Sequence, residues 1–186
     1  MKAMAALDPA LARHQLDRSA TGAPVWPLGL TGSITHTDDF ASAAVASTAA
    51  VVSLGIDTEW VMSEQQARNV GNLVASSIEL QRCRSAGIGP MEALTLVFSA
   101  KESIFKCLHP LVGRLFDFDD VRLVSIDAAM QTFHAEIVNT LDSAFPVGTV
   151  LEGHFAFDHH RVHTGLSLPI PETGDRPRPQ AFVPDR

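Results

Sequence analysis

Hydrophobic and polar positions recur with two different periods along this chain, and the change of period marks its elements. Met91 to about Leu108 repeats at helical spacing, with Leu94, Phe98, Ile104, Phe105 and Leu108 forming a broad apolar surface. Lys101, Glu102 and Lys106 interrupt that surface. Val51 to Glu59 reads as a buried strand, carried by Val51, Val52, Leu54 and Ile56. Met62 to Val74 predicts a helix with Ser63 as its N-cap, and Ser76 or Ser77 starts a second short helix through Arg84. Met1 to about Gln15 predicts a short helix broken at Pro9. Thr21–Gly22–Ala23–Pro24 is a turn, and Val25–Trp26–Pro27 is extended because residues before proline avoid the helical region. Ala41 to Ala49 fits a strand or a helix by periodicity, and the flanking turn signal Asp38–Asp39 favours the strand. After the long helix, strands are expected at Val121–Ile126, Thr132–Val138, Val150–Phe157 and Val162–Leu168, with Asp158–Arg161 as a hairpin tip.

The loop Ser85–Pro90 is the expected boundary between two halves, 1–90 and 91–168. From 169 to 186 prolines and charges dominate and predict a disordered tail. The chain of 186 residues is 46% hydrophobic, enough to bury a sizeable core. Its net charge of -7 argues against bulk binding to nucleic acid or anionic lipid. No run approaches the roughly 18 apolar residues of a membrane span, and the N-terminus lacks a signal-peptide pattern. Cys83 and Cys107 are too few for a disulfide framework or a zinc site, which points to a reduced, cytoplasmic setting.

Chemistry enters through two clusters. Glu102 and Lys106 are four apart and share a helix face. They are either an ion pair on a wet surface or an acid and a base at the rim of a site. Asp57 and Glu59, two apart on a strand, point the same way. They are either two solvated acids at a strand end or ligands for a hard divalent ion, Mg²⁺ or Mn²⁺. Glu102 offers a third oxygen. A carboxylate-held Mg²⁺ with a nearby lysine suits attack at phosphorus with a phosphate leaving group. The chain has no Walker-type loop and no G-x-G-x-x-G, so a nucleotide would be held by other means.

Three motifs, in order, resemble the 4′-phosphopantetheinyl transferase superfamily. They are Gly55-Ile56-Asp57-x-Glu59, then Phe98-Ser99-x-Lys101-Glu102-Ser103-x-x-Lys106, and upstream Trp26-Pro27-x-Gly29-x-x-Gly32-Ser33-Ile34-Thr35-His36. The flavour is that of the enterobactin-type enzymes of siderophore and other non-ribosomal peptide pathways. The resemblance implies an α+β fold of two similar halves with a central cleft that takes coenzyme A. It implies transfer of the phosphopantetheine arm of coenzyme A to a serine of an acyl or peptidyl carrier protein. Asp57, Glu59 and Glu102 would then hold Mg²⁺, and Glu102 would also act as base, directly or through a metal-bound water. Lys106 would meet the pyrophosphate and assist the leaving group. Ser33 and His36 would lie along the coenzyme A phosphates, His36 near the 3′-phosphate, and Lys101 would be a second cation near the phosphates or the carrier.

Longer members of the family have a further N-terminal segment with basic residues that grip the 3′-phosphate, whereas only Lys2, Arg13 and Arg18 stand here. An alternative reading is therefore a truncated, non-catalytic relative that binds coenzyme A or a carrier. Because carriers are acidic and this chain is too, docking is expected to use apolar contacts and placed cations such as Arg82, Arg84 or Arg114. A monomer is expected. His154, His159, His160 and His163 are read as structural or solvated. Trp26 and Trp60 are read as packing residues, and Cys107 as a buried inert thiol despite its neighbour Lys106.

Overall fold

A computed structural model of the chain describes residues 2–13, 15–19 and 22–170. Helix α1 (Lys2–Leu7) is followed by a 3-10 turn at Pro9–Arg13, the break expected at the proline. The two-residue strands β1 (Asp17–Arg18) and β2 (Pro24–Val25) pair with each other. Strands β3 (Leu30–His36) and β4 (Ala41–Ser47) form a separate antiparallel hairpin. The small-residue run 41–47 is thus a strand, as its flanks predict.

The main sheet has five antiparallel strands: β5 (Val51–Trp60), β6 (Val121–Asp127), β7 (Thr132–Ile137), β8 (Val150–Asp158) and β9 (Arg161–Pro169). Their spatial order is β5-β9-β8-β7-β6. Helices α2 (Glu64–Val74) and α3 (Ser77–Ser85) begin at Ser63 and Ser76, each with a complete capping box. Helix α4 (Pro90–Val112) packs on β5 and β9. It runs past the expected end at Leu108, through Pro110, and stops at Gly113 with φ 69°. That left-handed cap suits glycine.

The core lies between α4 and the sheet. Leu96, Ile104 and Leu108 from the helix meet Leu123, Phe133, Ile137 and Val162 from the strands, all with no exposed surface. Strand pairing crosses both expected boundaries. β5 pairs with β9, so the division expected near residue 90 is not a break between sheets. The hydrogen-bonded ladder instead changes between β4 and β5, at residues 48–50. Pro169 ends β9, paired with Val51, rather than opening a tail. The rest of the expected tail, 171–186, lies outside the described residues.

Close contact between α4 and β5 turns on Gly55. A Cβ there would collide with the Ser103 carbonyl oxygen and lie 2.7 Å from the Cys107 nitrogen. Both obstacles are helix backbone, which cannot swing aside. Ser53 fastens the same contact by donating from its hydroxyl to the Cys107 carbonyl at 2.7 Å. Gly55→Ala is expected to destabilise the protein by about 3 kcal/mol, in the upper range for overpacking a core. Chemical denaturation checks this, and an unchanged midpoint would contradict the close-packing account.

Candidate active site

Asp57 is the centre of the site. It sits on β5 opposite Thr164 of β9 and is 3% exposed. A carboxylate so buried needs partners. Three side chains meet it. Lys106 Nζ lies 2.6 Å from Oδ1. Ser99 donates to Oδ2 at 2.8 Å, and Thr35 donates to Oδ1 at 3.3 Å. Ser99 is itself held by Thr164, whose hydroxyl donates to the Ser99 carbonyl at 2.8 Å. Lys106 is 29% exposed along its side chain, so its ammonium bridges a buried anion and open solvent.

Glu59 and Glu102 join this charge cluster from the strand and the helix. Burial first, then the charge of Asp57, pushes the Glu59 carboxyl up to about 7, with Lys106 opposing. Glu102 is raised for the same reasons, burial and then Asp57, again opposed by Lys106. The three acids therefore sense one another and share one lysine. Their donors are all oxygen, which suits a hard divalent cation. Among the described residues, however, no three His, Cys, Asp or Glu side chains form a ready-made cluster for a metal ion.

Beside Glu102 opens a cleft of about 540 Å³ between α4 and the segment 115–121. Phe105, Leu115, Phe116 and Phe118 give it apolar walls, and Asp117 and Asp120 add charge. Phe105 and Phe116 pack with ring centroids 5.0 Å apart.

Other expected site residues are placed differently. Lys101 is not a free cation. It is 5% exposed, and its ammonium meets Glu79 Oε1 at 3.0 Å, the Val74 carbonyl at 2.9 Å and the Phe118 carbonyl at 3.0 Å. Those three acceptors use its three N–H groups and leave none for a phosphate. Glu79 also accepts from Ser76 and from the Leu123 amide, so the pair ties α2, α3, α4 and β6 together. The periodicity of the helix could not show this, because the partner Glu79 comes from another element.

Ser33 turns toward β5. It is buried, and its hydroxyl accepts from the Ile56 amide at 3.1 Å. Thr35 likewise accepts from the Thr58 amide at 2.9 Å. β5 is an edge strand, and these hydroxyls satisfy amides that a neighbouring strand would otherwise pair. Thr35, which the motif gives no role of its own, is thus a partner of Asp57 itself. The signal was alternation: Ser33 and Thr35 share one face of β3, Ile34 and His36 the other. Ile34 and His36 are exposed. Trp26 packs on Gly32, where a Cβ would come within 2.6 Å of its ring.

Arg82 donates to the Leu123 carbonyl, Arg84 to Gln81, and Arg114 to the carbonyls of Leu141, Leu115 and Thr140. The cations expected for docking are therefore engaged within the chain. Burial drives the thiols up, Cys83 to about 11 and Cys107 to about 12, so Lys106 does not activate its neighbour. No helix is long and apolar enough to cross a membrane among the described residues.

Comparison with known proteins gives two family matches. Residues 53–159 match the 4′-phosphopantetheinyl transferase superfamily, and residues 1–46 match the 4′-phosphopantetheinyl transferase N-terminal domain. The chain is 40% identical over 121 residues to 4′-phosphopantetheinyl transferase Svp of Streptomyces mobaraensis, covering 63% of this chain and 47% of the relative. It is 41% identical over 113 residues to enterobactin synthase component D of Escherichia coli K12, covering 61% and 52%. With 4′-phosphopantetheinyl transferase Npt of Nocardia iowensis it shares 32% over 132 residues, covering 66% and 57%. The chain spans about half the length of the curated relatives it matches.

The raised Glu59 carboxyl gives the metal-free protein a signed pH dependence. Its folded value of about 7 exceeds the ordinary 4.5, so the folded state holds the proton more tightly. Stability from this group is full below 4.5 and declines as pH rises through about 7. In chelator, the melting temperature of wild type relative to Glu59→Gln is expected to fall between pH 5 and pH 8, roughly the window set by that shift. A relative rise would contradict the crowding of acids around Asp57.

Proposed function

The chain belongs to the 4′-phosphopantetheinyl transferase superfamily, and from that membership we propose that it transfers the phosphopantetheine arm of coenzyme A to a serine of an acyl or peptidyl carrier protein. The reaction is Mg²⁺-dependent, with Mn²⁺ as a substitute, and serves siderophore or other secondary-metabolite assembly. The observation that carries this reading is the gathering of Asp57, Glu102 and Lys106, with Lys106 2.6 Å from Asp57, beside an apolar cleft. Relatives named as these transferases and as enterobactin synthase component D support it.

Asp57, Glu59 and Glu102 would hold the metal. Their oxygen donors and mutual repulsion fit a hard cation. A bound divalent ion supplies positive charge against the pyrophosphate oxygens. Glu102 takes the proton of the carrier serine hydroxyl, the role of a positioned carboxylate base. The serine oxygen forms a new bond to the phosphorus that bears the arm. The bond from that phosphorus to the bridging oxygen breaks, and adenosine 3′,5′-bisphosphate leaves with the electron pair. Lys106 stabilises, with its ammonium, the charge growing on the departing phosphate. His36, exposed at the end of β3, is assigned to the 3′-phosphate. The cleft beside Glu102 is assigned to the uncharged arm.

Variants separate these roles. Asp57→Ala and Glu102→Ala are expected to lose at least about a hundredfold in transfer, since each removes a group that acts on the reacting charges. Lys106→Ala is expected to lower kcat more than coenzyme A affinity. Steady-state kinetics with an apo carrier, alongside calorimetric coenzyme A binding, provide the measurement. Unchanged turnover in Asp57→Ala or Glu102→Ala would sink the assignment. Equal losses of kcat and affinity in Lys106→Ala would reduce that lysine to a binding residue.

A further inference from the structure

Arg161 opens β9, outside the cluster around Asp57, and the proposed chemistry does not use it. Its side chain is only 16% exposed. One Nη lies 2.6 Å from Asp39 Oδ2. The guanidinium carbon lies 4.1 Å from the centroid of the Trp60 ring and 5.5 Å from that of Phe40. Among the described residues, its Nε is the one buried side-chain nitrogen or oxygen without a hydrogen-bond partner. This is more than a surface ion pair, which commonly contributes little. The charge is screened from water, and aromatic faces lie on it.

The partners of Arg161 come from two regions far apart in sequence. Asp39 and Phe40 form the turn between β3 and β4, directly after His36. Trp60 ends β5 and pairs with Arg161 across the ladder. Within the turn, Thr37 donates its amide to the Phe40 carbonyl at 2.7 Å and its hydroxyl to Asp39 at 3.2 Å. Phe40 also packs on the His163 ring at 5.4 Å, and His163 shares a hydrogen bond with Thr58 at 2.9 Å. The β3–β4 hairpin has no ladder with the five-stranded sheet. Beside the packing of β3 and β4 on β5, side-chain hydrogen bonds tie it there, from Ser33 and Thr35 along its length and from Arg161 at its tip.

We infer that Arg161 is a positioning residue: its contacts with Asp39, Phe40 and Trp60 fix the His36–Phe40 turn against β5 and thereby set His36 for coenzyme A. The role of His36 rests on the transferase reading; the clamp itself does not. Arg161→Met, Asp39→Asn and the double variant test both parts in the full chain. Asp39 is exposed, and its substitution keeps size and shape, so it addresses the clamp even if Arg161→Met folds poorly.

Amide hydrogen exchange over residues 36–40 reports the clamp without any substrate. Each single variant is expected to exchange about fivefold faster there, and the double variant no faster than the quicker single. With an apo carrier, the KM for coenzyme A is expected to rise about fivefold while kcat stays within about twofold. Wild-type exchange rates in both single variants would overturn the clamp. A fall in kcat with unchanged KM would overturn the placing of His36. A wild-type protein that transfers nothing would overturn the transferase reading and the role of His36 with it, while the exchange rates judge the clamp alone.

Discussion

Helix α4 reaches strand β5 because residue 55 has no side chain. Any larger residue would press on the backbone of Ser103 and Cys107 and lift the helix away. The site depends on that contact. Ser99 and Lys106 are carried by α4, and both must reach one carboxylate on β5. Glycine, aspartate and glutamate at 55, 57 and 59 therefore act as a unit on one face of the strand. The first sets the distance, and the others supply charge at that distance.

That arrangement brings acids together at an energetic cost. Asp57 is buried, and its charge raises its neighbours Glu59 and Glu102. Lys106 and two hydroxyls offset the repulsion only in part. A strained balance of this kind is expected where chemistry on a phosphate requires charge to be ready before substrate arrives. Asp57, Glu59, Glu102 and Lys106 all fall within residues 53–159, the stretch matching the transferase superfamily. His36 and Asp39 fall within the stretch matching the N-terminal domain, and the Arg161–Asp39 contact joins their turn to β9 of the five-stranded sheet.

Much of this was legible in the chain. Ser63 and Ser76 announced two helices because capping is local chemistry, and the strands after residue 120 showed themselves by alternation between turns. Asp57 and Glu59 on one face, and Glu102 and Lys106 on another, followed from strand and helix periods. What stayed hidden needs a partner from elsewhere. Lys101 looks like a free cation until Glu79 is seen beside it. The Ser33 hydroxyl gives no local sign that it meets the Ile56 amide at the edge of β5. Arg161 and Asp39 are 122 residues apart, and no local pattern joins them. The pairing of β5 with β9, across the loop near residue 90, was hidden for the same reason, since a loop signal says nothing about which strand β5 will pair with.

The most direct test of the central claim is the intact mass of an apo carrier protein after incubation with this protein and coenzyme A, with Mg²⁺ or with chelator. The account predicts a gain of one phosphopantetheine arm on the carrier with Mg²⁺, and none with chelator. No gain on any of a panel of acyl and peptidyl carriers, together with no shift of melting temperature on adding coenzyme A, would contradict it.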